Sequence, residues 1–212
     1  MLRWSDHRIF VSEFFRSFHT TGAVLPSGPW LAASLVRYLG EAAGQRRVLE
    51  VGPGTGAVTR HIVEGLRSGD RLDLVELNDQ FVARLRERFA TEASFRAVAD
   101  HTQIHHCPIE DLPGGDRYDV IVSGLPLNNF SAELVERILD ILMGLLKPGG
   151  TLSFFEYIGI RRARAMVSRG AERERLNGIS KALERILGRG EIRCDWVWPN
   201  VPPAWVHHVR AV

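Results

Sequence analysis

Cysteine is scarce in this chain, with Cys107 and Cys194 the only two in 212 residues. Their spacing fits neither a disulfide framework nor a zinc site, so reduced thiols and a cytoplasmic setting are the expectation. Long apolar runs are missing as well. Charge interrupts every apolar stretch well before the roughly 20 residues that cross a bilayer, and the first residues lack the basic, apolar and small pattern of a secretory leader. Any membrane contact is therefore expected to be peripheral. Internal repeats and low-complexity tracts are absent too, which argues against a solenoid or a linker-rich chain. A formal net charge of +2 is too small to imply nucleic acid as a partner. The distribution is uneven, however: residues 161–189 hold nine Arg or Lys against three Glu.

What is present is a globular composition, 45% hydrophobic and 25% charged, long enough for one domain with one good-sized core. From about residue 46 to 157, short apolar runs alternate with helix-length amphipathic stretches. The pattern predicts strands at Val48–Val51, Leu72–Glu76, Gln103–Cys107, Asp119–Ser123 and Thr151–Tyr157. Helices are predicted between them, among them Asp79–Phe89 and Ala132–Leu146. Strand-helix repetition of this kind implies an α/β fold, a mostly parallel Rossmann-like sheet with helices on both faces. Residues 1–45 read as N-terminal helices, one over Trp4–Phe18 and a second after Ser27 as N-cap. Residues 158–190 read as a basic helical insertion, and 191–212 as an antiparallel hairpin broken at Pro-Asn-Val-Pro-Pro.

The segment "VLEVGPGTG", residues 48–56, runs from a strand into Gly52, Gly54 and Gly56 and then into a helix. Such glycines let backbone turn tightly and approach a ligand at the helix N-terminus. Glu50 adds a carboxylate before the turn, suited to an amino group rather than to a pyrophosphate. The next strand ends in "LVELN", placing Glu76 and Leu77 about as far beyond the glycines as an acid that meets a ribose diol.

With these residues the chain resembles the class I S-adenosylmethionine-dependent methyltransferases, over roughly residues 46–157. The resemblance implies that the loop Glu50–Gly56 wraps the methionine part of S-adenosylmethionine and that Glu76 holds its ribose. Ile109 and Glu110, in "CPIEDL", stand where the family meets the adenine, and Ser123 closes the same pocket from the fourth strand. The stretch "SGLPLNNF", residues 123–130, keeps the family's Leu-Pro bend but carries Gly124 and Leu127 where amino-methylating members often have Asn and an aromatic ring. A flipped base depends on stacking and edge hydrogen bonds, so this loop favours an aliphatic amine, for which Gly124 leaves room. With "GAVLPSGPWLA", "FFEYIGIRR" and "NVPPAWV", it is similar to the short bacterial phospholipid N-methyltransferases, which act on phosphatidylethanolamine.

That resemblance implies a lipid amine substrate, no nucleic acid, and a monomer or weak oligomer on the inner membrane surface. Gly124, Leu125, Pro126, Asn128 and Tyr157 are the expected catalytic positions. Asn128, Asn129, Glu156 and Tyr157 are candidates to accept from the amine, and Tyr157, Phe130 and Trp30 to line a cationic head group. Trp196, Trp198 and Trp205 read as packing. The pairs His105-His106 and His207-His208 put one ring on each face of a strand, so no metal site is expected at either. Two surfaces are candidates for the bilayer: Trp4–Phe18, with Arg3, Arg8 and Arg16 beside an apolar stripe, and the basic helix around Leu176–Arg189. Rival readings are an RNA adenine dimethyltransferase and a protein that binds the cofactor without turnover.

Overall fold

The structure, a computed structural model, describes residues 28–41, 44–113, 115, 117–158 and 170–212. The expected helix Trp4–Phe18, the cap Ser27 and the basic residues from Arg161 to Arg169 lie outside the described residues. Strands β1 (Arg47–Val51), β2 (Arg71–Glu76), β3 (Thr102–His106), β4 (Tyr118–Ser123), β5 (Leu146–Tyr157), β6 (Glu191–Val197) and β7 (Ala204–Arg210) form one sheet in the order β3-β2-β1-β4-β5-β7-β6. The first five are mutually parallel, and β7 and β6 join antiparallel. Strands covered on both faces are mostly apolar, which is why Val48–Val51 and Leu72–Val75 read as near-continuous runs interrupted by the buried Glu50 and Asp73.

Alternation along each strand feeds two cores. Val48, Leu72, Leu74, Val120 and Val122 face α1 (Pro29–Leu35), α2 (Ala57–Gly65) and α3 (Asp79–Thr91). Short α4 (Ala93–Arg96) adds Phe95 to that side. Leu49, Ile121, Leu152 and Phe154 face α5 (Ala132–Leu145) and α6 (Ala171–Gly190). Helix α1 starts at Gly28 rather than at the expected Ser27: Pro29 follows in the first turn, and the Gly28 N–H donates to Asn200 Oδ1 at 3.2 Å. The helix is thereby tied to the turn between β6 and β7.

Two expectations change here. The apolar stripe of α6, Leu176, Ile179, Leu183 and Ile186, is fully buried in the core it shares with α5, and Arg185 pairs with Asp140 and Glu136. That helix covers the sheet and has no free apolar face for a bilayer. Trp196 and Trp198, read as packing, are instead exposed on the edge strand and the turn after it.

At the amino end of the sheet, Arg46 and Asp70 are completely enclosed. The Arg46 guanidinium donates to Asp70 and to the carbonyls of Leu39 and Gly65, while Asp70 also accepts from the backbone N–H groups of Arg46 and Arg67. Removing one partner of such a pair strands the other charge in the core. Arg46→Ala is expected to lower unfolding free energy by about 3–5 kcal/mol, measured by urea denaturation. A loss below about 1 kcal/mol would mean that the pair is not buried in solution.

Candidate active site

The site forms where β1 and β4 part. They are neighbours in register, Val51 beside Ser123, but the chain leaves β1 toward α2 on one face and β4 toward α5 on the other. Ligand crevices in open α/β sheets form at such reversals of strand order, beyond the carboxyl ends of the strands. Gly52, Gly54 and Gly56 take φ of 72°, 56° and 82°, the left-handed region where a side chain is strained. A Cβ on Gly56 would meet Arg88 at 2.5 Å, whereas beside Gly54 nothing lies within 4 Å. The glycine loop is therefore packed underneath and open above.

Arg88, which sequence reasoning did not single out, holds the loop from below. Its Nη1 donates to the carbonyls of Thr55 and Gly56 at 2.9 and 2.6 Å, its Nε pairs with Glu92 at 2.6 Å, and its guanidinium lies 4.1 Å from the Phe95 ring centroid. The signal was its position one helical turn after Leu85, on the buried face of α3.

Two buried carboxyls lie near the carboxyl ends of β1 and β2. Glu76 is buried; its Oε2 accepts from Gly54 N–H at 3.0 Å and its Oε1 from the N–H groups of Leu77 and Asn78 at 2.9 Å each. Burial pushes its pKa up and those three donors pull it back, leaving it above the usual value. Oε2, with a single donor, keeps accepting capacity for one more. Glu50 is enclosed too, and neither of its oxygens has a hydrogen-bond partner. Burial pushes its carboxyl up to about 8; Thr59 opposes this, the Glu76 carboxylate adds to it, and Arg88 opposes it. A buried acid without a partner is a place where a cation or an N–H donor is missing.

The predicted residues Gly52, Glu76, Leu77, Ile109, Glu110 and Leu125 line one narrow pocket, with Phe130 at its wall. Ser123 does not reach it: its buried hydroxyl accepts from Leu125 N–H at 3.4 Å. In the β4 loop, Leu127 N–H donates to the Leu125 carbonyl at 2.9 Å across Pro126, whose φ of −79° and ψ of 75° make an inverse γ-turn. The expected Leu-Pro bend takes that form. Gly124 differs from expectation: a Cβ there would meet the Gly52 carbonyl oxygen at 2.6 Å, so its glycine allows loop-to-loop contact and leaves no pocket for an amine.

The N-cap of α5 is Ser131, whose hydroxyl accepts from Leu134 N–H at 3.2 Å, so neither Asn128 nor Asn129 serves as cap. Asn128 is buried, and its Oδ1 has no partner. Arg175 of α6 fixes this segment by donating to the carbonyls of Asn128 and Phe130. Tyr157 ends β5 on the face toward α1, edge-on to Phe155, and burial raises its pKa. Trp30 is exposed beside the hairpin, so Tyr157, Phe130 and Trp30 occupy three different surroundings. Glu156 lies with His207, their charged atoms 3.6 Å apart.

The histidines find separate partners. His105 reaches Asp73, His106 the Leu77 carbonyl, and His208 the Ser153 hydroxyl. His207 hydrogen-bonds Glu191 at 2.7 Å on the last two strands; Cys194 joins them, with potential ligand atoms within 4.8 Å of one another. That trio is outside the pocket.

The family described as a methyltransferase domain matches residues 49–152. The chain is 33% identical over 152 residues to an ornithine lipid N-methyltransferase of Singulisphaera acidiphila, covering 70% of this chain and 76% of that protein. It is 35% identical over 117 residues to ribosomal RNA small subunit methyltransferase A of Prochlorococcus marinus, covering 53% of this chain but 40% of that protein. Among solved structures, an O-methyltransferase from Bacillus cereus in complex with SAH shares the fold with a TM-score of 0.65 at 15% identity, covering 93% of this chain and 89% of that one.

The Glu50 carboxyl has a thermal signature. An unfolded chain loses this proton near pH 4.5, while the folded one keeps it to about 8, so stability falls as pH rises through that window. Glu50→Gln removes this slope. Its melting temperature relative to the native chain is expected to climb between pH 5 and pH 8; a constant difference would show that Glu50 is already ionised in the fold.

Proposed function

This chain belongs to the class I S-adenosylmethionine-dependent methyltransferases, and we propose that it methylates the amine of a membrane aminolipid head group. It is an N-methyltransferase with S-adenosylmethionine as cofactor. The residues present fit that cofactor: Glu50 offers two unpartnered buried oxygens for an ammonium group, Gly54 an open side, and Glu76 Oε2 spare accepting capacity for a hydroxyl. In this reading Glu50, Gly52, Gly54 and Gly56 hold the amino-acid end and Glu76 the ribose, with Leu77, Ile109 and Glu110 lining the base. The bound cofactor supplies an electrophilic methyl on a sulfonium, so positioning the acceptor nitrogen does much of the catalysis.

The observation that carries the choice of acceptor is the loop after β4. Contact with Gly52 denies Gly124 a side chain, Leu127 supplies no ring, and the one polar group left buried and unpartnered there is Asn128 Oδ1. An amide oxygen can orient an N–H of a small amine, which must arrive unprotonated to present its lone pair. A flat base would find neither stacking surface nor paired edge groups. The kinship with an ornithine lipid N-methyltransferase supports ornithine lipid as the first candidate, with phosphatidylethanolamine second. The partial kinship with a ribosomal RNA methyltransferase keeps RNA as the rival substrate. A lipid substrate would place the enzyme on the cytoplasmic surface of the inner membrane as a peripheral protein.

Labelled cofactor offered with ornithine-lipid vesicles, phosphatidylethanolamine vesicles or structured RNA separates these readings. Label is expected in an aminolipid; label in RNA alone would overturn the proposal. Asn128→Ala is expected to lower kcat roughly 10- to 100-fold at unchanged cofactor affinity. Glu76→Ala should weaken cofactor binding by about tenfold or more, read by calorimetry.

A further inference from the structure

Among the described residues, the exposed large apolar side chains are concentrated at one end of the sheet. Trp30, Trp196, Trp198 and Val201 are 65%, 58%, 60% and 71% exposed. The Trp196 ring lies 5.6 Å from those of Trp198 and Trp205, and Trp30 shares a groove with Trp196 and Pro199. Gly28 N–H to Asn200 Oδ1 joins the start of α1 to the hairpin turn, so these side chains belong to one tied unit. The unit stands at the substrate end. β5 pairs with β4 up to Phe154 and then continues to Tyr157, whose partner is Ala204, so the β6–β7 turn projects beyond the level where the β1 and β4 loops begin.

We propose that this tryptophan-bearing turn, with the start of α1, is the surface on which the enzyme sits on an anionic phospholipid bilayer. The inference rests on the aminolipid reading. A lipid's chains stay in the membrane, so its head group reaches the β4 loop only if this end of the sheet faces the bilayer. Indole rings pair an apolar body with an N–H and settle at the boundary between head groups and chains, which suits half-exposed tryptophans better than an aliphatic patch would. An exposed cluster of this kind marks an interaction surface.

Charge complements the assignment. The same groove carries Arg37 and Arg193, with side chains 45% and 50% exposed. Both share a single carboxylate, Asp195, so the rim holds one net positive charge, matched to lipid phosphates. Of the two surfaces expected from the sequence, Trp4–Phe18 lies outside the described residues, and helix α6 has its apolar stripe buried in the core.

The test uses the full chain and vesicles of phosphatidylcholine with phosphatidylglycerol, which contain no methyl acceptor. The native protein is expected to co-sediment with them, and brominated phosphatidylcholine should quench its tryptophan emission. Trp196→Ser/Trp198→Ser should partition at least tenfold more weakly and lose most of that quenching. The same double variant should keep native affinity for S-adenosylhomocysteine and a native rate on a short-chain aminolipid dissolved as monomers, while its rate on vesicles falls in step with partition. Equal partition of variant and native protein would overturn the proposal. So would a native protein that ignores vesicles, or one that forms a dimer the double variant does not form, which would assign the patch to a second copy. Because partition is read without turnover, a chain that docks through these tryptophans yet labels no aminolipid would remove the substrate reading and leave the docking surface standing.

Discussion

Two loops touch backbone to backbone at the carboxyl ends of β1 and β4, and the site depends on that contact. Neither Gly52 nor Gly124 has room for a Cβ: the first would meet Leu125, the second the Gly52 carbonyl. The constraint arises because adjacent parallel strands send their chains to opposite faces, so the crevice between them can be narrow only if both lips are bare. It also determines chemistry. A lip without side chains cannot offer an amide edge at Gly124, and the buried amide oxygen without a partner lies further down the loop at Asn128, past the inverse γ-turn at Pro126.

The two ends of the sheet handle buried charge in opposite ways. At the amino end, Arg46 and Asp70 satisfy each other and the surrounding carbonyls and N–H groups, which fixes geometry. At the carboxyl end Glu50 is enclosed without a hydrogen-bond partner and Asn128 Oδ1 likewise, an arrangement that costs stability unless a ligand supplies donors. Arg88 and Arg175 hold the flanking backbone by its carbonyls, so the loops keep their shape without neutralising these groups. A buried acid and a buried amide oxygen without partners, both beside the glycine loop and the β4 loop, are what a ligand with N–H donors would satisfy.

Much of this was legible in the sequence, for reasons particular residues show. Leu72–Val75 could be read because a strand buried on both faces is mostly apolar, here with Asp73 the exception, and the turn into Gly52–Gly56 because left-handed backbone favours glycine. The early start of β5 was not: Lys147-Pro-Gly-Gly reads locally as a turn, yet Leu146 pairs with Tyr118 ahead of a register shift. The Gly124 constraint depends on a residue distant in the chain, which no local pattern reveals. Trp196 and Trp198 were misread because strand alternation gives two faces without saying that β6, at the sheet edge, leaves them uncovered.

Burial raises the Glu50 carboxyl to about 8 and leaves its oxygens without partners, and in the proposed reading the ammonium group of the cofactor supplies one. Calorimetry of S-adenosylhomocysteine binding at pH 7, in two buffers of different ionisation enthalpy, counts the protons exchanged. With the Glu50 carboxyl at about 8 in the empty site, pairing with an ammonium should release close to one proton, and Glu50→Gln should abolish the release. Binding with no proton released by the native protein would mean that Glu50 does not meet the ammonium group.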